Sequence, residues 1–152
     1  MGSYKLGPAR FFAGYEHIKY DDPSTTLSAG HTDIGGYVLA FVTNNSFVDP
    51  KLVKVYWAGA RYTVLPGLDL TSAYYYVHQD AYGTGTQANC STSAHSTCSG
   101  NLQGISFDAD YRFNVHFDVY AGAMYSAVHD GMASGYLYST NINPTIGARY
   151  KF

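Results

Sequence analysis

The chain has 152 residues and a formal net charge of −2 at pH 7, enough for one domain and too near neutral to gather nucleic acid electrostatically. Charged residues make up 13% of it, against roughly a quarter in ordinary soluble domains, while aromatic residues reach 16% and tyrosine alone supplies 16 positions. This balance excludes a disordered chain and disfavours an ordinary soluble enzyme, and the longest apolar run, residues 37–42, falls far short of the ~20 residues of a membrane-crossing helix.

Met1–Pro8 has neither the apolar stretch nor the small-residue cleavage site of a secretory leader, so the expectation is a chain that is either mature or truncated. Beyond it, alternation with period 2 marks six nine-residue windows as strands: 9–17, 56–64, 68–76, 105–113, 117–125 and 144–152. No helix is expected. The stretch 31–50 is ambiguous, since Tyr37–Thr43 fits either a short extra strand or a packed loop. The connections 18–55, 65–67, 77–104, 114–116 and 126–143 alternate between long and short. Leu65-Pro66-Gly67 and Asn114-Val115-His116 have hairpin length, which puts the short turns on one rim of an up-and-down antiparallel meander and the long loops on the other.

Within the windows every full charge falls on one parity: Arg10, Glu16, Arg61, Asp69, Asp108, Asp110, Arg112, Asp118, Arg149 and Lys151. The opposite parity carries Phe11, Ala13 and Tyr15; Tyr56, Ala58, Ala60 and Tyr62; Leu68, Leu70, Tyr74 and Tyr76; Phe107, Ala109, Tyr111 and Phe113; Val119, Ala121, Ala123 and Tyr125; and Ile146, Tyr150 and Phe152. A soluble β-sandwich also alternates, hiding its apolar face against a second sheet. Three features favour an apolar exterior instead. Aromatics gather at both strand ends, with Tyr62, Tyr111, Phe113, Tyr150 and Phe152 by the short turns and Tyr15, Tyr76 and Tyr125 by the long loops. The mid-strand residues of that face are mostly Ala, Leu, Ile and Val, too small for a dense sandwich core. Strands of about 9 to 11 residues also suit a tilted crossing of a ~25 Å apolar band. The expected fold is therefore all-β, an antiparallel up-and-down transmembrane β-barrel contributing six strands. Six strands cannot close by themselves, so the chain is expected to be part of a larger barrel or to pair its edges with other copies.

The segments Phe12–His17 (FAGYEH), Tyr56–Tyr62 (YWAGARY), Ser106–Phe113 (SFDADYRF), Phe117–Tyr125 (FDVYAGAMY) and the ending Gly147–Phe152 (GARYKF) resemble, in order, the C-terminal part of the general porins of Gram-negative outer membranes. The likeness covers roughly residues 8–152. It implies a C-terminal fragment, residues 1–152, of a trimeric sixteen-stranded barrel in the cell outer membrane, surrounded by its lipid and passing ions and small hydrophilic solutes by passive diffusion. It also implies that Tyr150 and Phe152 belong to the terminal signal read by the barrel-assembly machinery. Nothing in the chain corresponds to the family's inward-folded third loop with its acidic residues, so selectivity does not carry over.

On this reading the ten charges line a water-filled lumen and sum to zero, with Arg149 and Lys151 in a vestibule beside the last turn. Asp108, Asp110 and Arg112 form a neutralised cluster on one strand rather than a pair of catalytic acids. Trp57 falls on the wet parity, where it covers Gly59 or a loop, and Gly14, Gly59 and Gly122 also face inward. Cys90 and Cys98 flank seven residues of a long loop and suit a disulfide in an oxidising compartment; a Cys-His-Cys metal site through His95 lacks a fourth ligand. His17 and His78 are expected as anchors at the outer rim. None of the six histidines belongs to a catalytic motif, and no nucleophile elbow or phosphate-cradling loop occurs. No enzyme, metal or cofactor is expected. The alternative is a soluble, disulfide-containing β-sandwich that serves binding or adhesion.

Overall fold

A computed structural model describes residues 1–20, 33–34, 37–38, 51–81, 99–135 and 138–152. The strands are β1 (Gly2–Leu6), β2 (Ala9–Tyr20), β3 (Asp33–Ile34), β4 (Tyr37–Val38), β5 (Lys51–Leu65), β6 (Leu68–Gln79), β7 (Gly100–Arg112), β8 (Phe117–Asp130) and β9 (Thr140–Tyr150). Seven of them form one antiparallel sheet in the order β1-β2-β5-β6-β7-β8-β9, each strand beside its sequence neighbour in an up-and-down meander. The two-residue strands β3 and β4 pair separately, which places a short hairpin within the ambiguous 31–50 stretch. The only helical turn among the described residues is a 3₁₀ segment, Gly131–Gly135, and none of their helices is long and apolar enough to cross a membrane.

The sheet has seven strands, not the six expected. β1 escapes a nine-residue window because it is only five residues long, yet Gly2↔Ala13 through Leu6↔Ala9 pair it fully with β2. Gly7, at φ +56°, makes the reversal, a conformation glycine adopts without a Cβ penalty. The other strands reach beyond their windows, chiefly toward the long-loop rim. At the second short turn Pro66 and Gly67 stand between the closing pair Leu65↔Leu68, and Gly67 at φ +90° follows Pro as a type II turn requires. At the third, the Asn114 side-chain oxygen accepts from the backbone N–H groups of His116 (2.8 Å) and Phe117 (2.9 Å), the short-range bonding that makes Asn a turn residue. All three short turns share one rim, as the alternating connection lengths predict.

Six successive antiparallel pairings leave β1 and β9 at opposite edges and running the same way. The sheet is not closed: among the described residues no strand pairing joins its two edges.

Register keeps the two faces in phase across all seven strands. On one face run the rows Ala9–Tyr62–Leu70–Ala109–Ala121–Ile146, Phe11–Ala60–Ser72–Phe107–Ala123–Pro144 and Ala13–Ala58–Tyr74–Ile105–Tyr125–Ile142. On the other run Arg10–Arg61–Thr71–Asp108–Gly122–Thr145 and Phe12–Gly59–Ala73–Ser106–Met124–Asn143. A one-residue slip at any strand would mix the two sets.

The apolar face is the exposed one. Phe107 is 60% and Ile146 86% accessible, and Phe11, Tyr15, Tyr56, Tyr62, Leu70 and Tyr74 are also exposed, whereas the buried residues Asp69, Ala73 and Asp118 all lie on the polar face. Strand contacts are confined to sequence neighbours and to the 3₁₀ turn, so among the described residues no second sheet covers the apolar side. Both rims carry contiguous rings. Near the long loops Tyr15–Tyr56 and Tyr56–Tyr76 have centroids 4.8 and 6.2 Å apart. Near the short turns Tyr111–Phe113, Phe113–Phe117 and Tyr150–Phe152 lie at 4.8, 5.5 and 5.7 Å.

Candidate channel wall

All ten charges singled out by parity do lie on the polar face, and β1 adds Lys5, which pairs across to Arg10. With Lys5 this set holds six positive and five negative charges, where the sequence reading, lacking β1, makes the set neutral.

The charges are organised across strands. Near the short-turn rim Asp69 accepts from Arg61 Nη2 (2.6 Å) and from Thr63 Oγ1 (2.6 Å), and Arg112 Nη2 lies 3.7 Å from the same carboxylate. Two strands away, Arg149 bonds Asp118 through Nε (2.7 Å) and Asp110 through Nη2, while Lys151 reaches Asp118 at 3.1 Å. The Arg149 guanidinium also lies 5.3 Å from the Tyr120 ring centre, within cation–π range. The expected neutralised cluster of Asp108, Asp110 and Arg112 on one strand is not what forms. Alternation gives these three side chains one face but a spacing of two residues along β7. Facing residues on neighbouring strands come closer and a long arginine reaches further still, so Arg112 turns to Asp69 on β6 and Arg149 reaches across β8 to Asp110. Asp108 makes no ion pair among the described residues; it shares a row with Arg10 and Arg61 but stands three and two strands from them. Glu16 lies higher, in a row with Val55, Val77, Leu102 and Val128, and makes no ion pair there.

Long side chains lie over glycines on the same face. The Trp57 ring occupies the space a Cβ on Gly14 would need, and the Phe12 ring would meet a Cβ on Gly59 at 2.5 Å. Trp57 thus covers Gly14 and not Gly59, which corrects one of the two sequence readings. Tyr120 covers Gly147 at 2.5 Å and the Met124 methyl covers Gly104 at 2.7 Å. Aromatic cover of a strand glycine restores packing that the missing side chain removes and pins register. Gly122 differs, being hemmed by the Phe107 carbonyl (2.6 Å) and Asp108.

The polar face is zoned. Its short-turn half holds the ion network, while its long-loop half holds Val53, Val55, Val77, Leu102, Val128, Trp57 and Tyr75. There the 3₁₀ turn folds back: Gly131 N–H donates to the Ser99 carbonyl (2.8 Å), and Met132 sits against Gly100. Asp130 at φ +59° makes that reversal, a conformation in which Asp is tolerated better than bulkier residues. This apolar zone went unread because it breaks no parity; Val and Leu there look like ordinary strand residues.

At the long-loop rim Lys54 Nζ bonds Asp80 at 2.7 and 3.0 Å, and His78 Nε2 lies 3.1 Å from it. The hydrogen bond from the Lys54 ammonium outweighs partial desolvation and holds the Asp80 carboxyl below the usual aspartate range. Tyr150 ends β9, and Phe152 lies fully exposed just past it. Cys90, Cys98 and His95 lie outside the described residues. Among the described residues no three metal-ligating side chains converge. No known protein family matches the chain, and no curated protein sequence does.

Proposed function

We propose that the chain is a wall segment of an outer-membrane β-barrel channel of the general-porin kind, its apolar face in lipid and its charged face in water. Ions and small hydrophilic solutes then pass down their gradients, at rates set by lumen width and wall charge. One observation carries the reading: an exposed face seven strands wide without a full charge from the short turns up to the tyrosine row. On β8 that face runs from Phe117 to Ala127, about 33 Å along the strand at ~3.3 Å per residue. At the ~40° tilt of barrels this stands about 25 Å tall, the height of the lipid-facing band. A monomeric soluble domain does not leave such a patch uncovered.

The edges of β1 and β9 present unpaired backbone groups, which cost several kcal/mol each in hydrocarbon, so further strands must pair them. Because the two edges run the same way, antiparallel pairing of both needs an odd number of added strands. A sixteen-stranded wall would supply nine. The trimer, and recognition of Tyr150 and Phe152 by the assembly machinery, rest on the sequence resemblance.

Spin labels at Ala58, Ala121 and Ala148 test the reading in bilayers. They should collide with oxygen and be shielded from a water-soluble nickel chelate, while a label at Asn143 on the opposite face should behave inversely. Chelate access at the three alanines equal to that at Asn143 would overturn it, as would a protein that stays monodisperse without detergent and leaves bilayers alone.

A further inference from the structure

One register step beyond the Tyr15–Tyr56–Tyr76–Gln103–Ala127 row, the exterior face aligns His17, Lys54, His78, Asn101 and His129 on five adjacent strands. Counting outward from the short turns, this is the first exterior row that holds a lysine or a histidine. Every exterior residue of the seven strands below it is apolar, aromatic, Ser, Thr or Gln. The Tyr76 and His78 rings are nearly parallel at 6.4 Å, so the tyrosine run continues into this row. In a bilayer, the first polar row above an aromatic girdle lies at headgroup level.

Among the described residues the groups facing the row are few. His17 meets Lys54 from β5; His78 meets Lys54 from β5, Asn101 from β7, and Asp80 at 3.1 Å; His129 meets Asn101. Asp80 takes up the Lys54 charge at 2.7 Å, Lys19 follows on the same face of β2, and Asp130 ends β8 on the opposite, polar parity. Imidazole is the side chain whose charge changes between about pH 8 and pH 5, and the row holds three of them.

We propose that this row is a binding belt for anionic phospholipid headgroups, engaged on acidification. The inference rests on the membrane reading above. Charge complementarity selects the partner: the imidazolium N–H groups and Asn101 offer donors at the depth of the phosphodiester, and a zwitterionic headgroup supplies no net charge to match.

The test uses the full chain in mixed phosphatidylcholine and phosphatidylglycerol bilayers, with a trace of either lipid spin-labelled. Phosphatidylglycerol keeps its charge over this range, so a pH effect reports the protein. The motionally restricted fraction gives the preference for phosphatidylglycerol over phosphatidylcholine. The preference should rise about threefold or more between about pH 8 and pH 5.5, fall with added salt, and stay flat in a His17→Gln, His78→Gln, His129→Gln variant. A flat profile in the wild type overturns the proposal whether or not the variant folds, and so does an undiminished rise in a variant that inserts normally. Absence of any restricted phosphatidylcholine at either pH overturns the membrane reading itself, and this inference with it.

Discussion

Strand β8 carries a depth ruler made of alanines. Ala121, Ala123 and Ala127 all sit on the exterior face, and the apolar span Phe117–Ala127 has its midpoint at residue 122. Ala121 and Ala123 therefore fall within about 3 Å of the band centre, and Ala127 lies near its outer margin. Ala121 is flanked by Ala109 and Ile146, and Ala123 by Phe107 and Pro144, so an arginine at either site points outward from an exposed face. Arginine on a barrel exterior costs about 2–4 kcal/mol at the bilayer centre and about 0–1 near the interface. At ~3 kcal/mol, Ala121→Arg and Ala123→Arg should each lower the folding equilibrium constant by roughly two orders of magnitude, whereas Ala127→Arg should stay within about a factor of five. Asn143→Arg, on the opposite face, should behave like the wild type. Reversible urea unfolding in short-chain phosphatidylcholine vesicles, followed by Trp57 emission, gives these values. Equal costs at all three alanines would refute lipid contact at this face, because a depth profile has no cause in a uniform medium.

Three further outcomes follow from the wall. Gly14→Ala forces the Trp57 ring from its place, which should shift the emission of this single tryptophan and cost about 1–2 kcal/mol, as overpacking does; unchanged emission would refute the contact. Since the Asp80 carboxyl is held low, its pairing adds stability in full above the ordinary aspartate range near pH 3.9 and loses it only as pH falls through the lower folded value. Urea midpoints of wild type and Asp80→Asn should therefore differ at about pH 6 and converge at about pH 2. For bilayer-inserted channels, Asp108→Asn should move the zero-current potential in a salt gradient toward anion preference and Arg10→Gln toward cation preference, the same shift in both variants being the contrary result.

Much of this architecture was legible because one rule governs it. A period of 2 assigns every strand residue to a face, and the concentration of every full charge of the windows on one parity makes the assignment visible. Alternating connection lengths gave the two rims for the same reason, hairpins being short and loops long. β1 was not legible, because Ser3, Tyr4, Lys5 and Leu6 between glycines make too short an alternation to stand out; its partner register defines it. The pairing partners of the charges were equally hidden. Parity says that Arg112 and Asp110 share a face, but which carboxylate Arg112 meets depends on the stagger between β6 and β7, which sets Asp69 opposite Asp110. Trp57 over Gly14 is a cross-strand contact of the same kind.

A single-layer sheet of this sort has almost no core of its own. Among the described residues only Val53, Ala73 and Val128 are buried hydrophobics, far too little apolar burial to offset the chain entropy of a domain. Its stability must come from ladder hydrogen bonds and from a solvent that accepts the exposed face. Hydrocarbon does both, because it strengthens each paired backbone group by offering no competing partner and takes up the tyrosines and alanines without cost. Water does neither. The cross-strand ion network adds to this on the polar face: it ties β5 and β7 to β6 and ties β9 to β8 and β7, holding register where no core can.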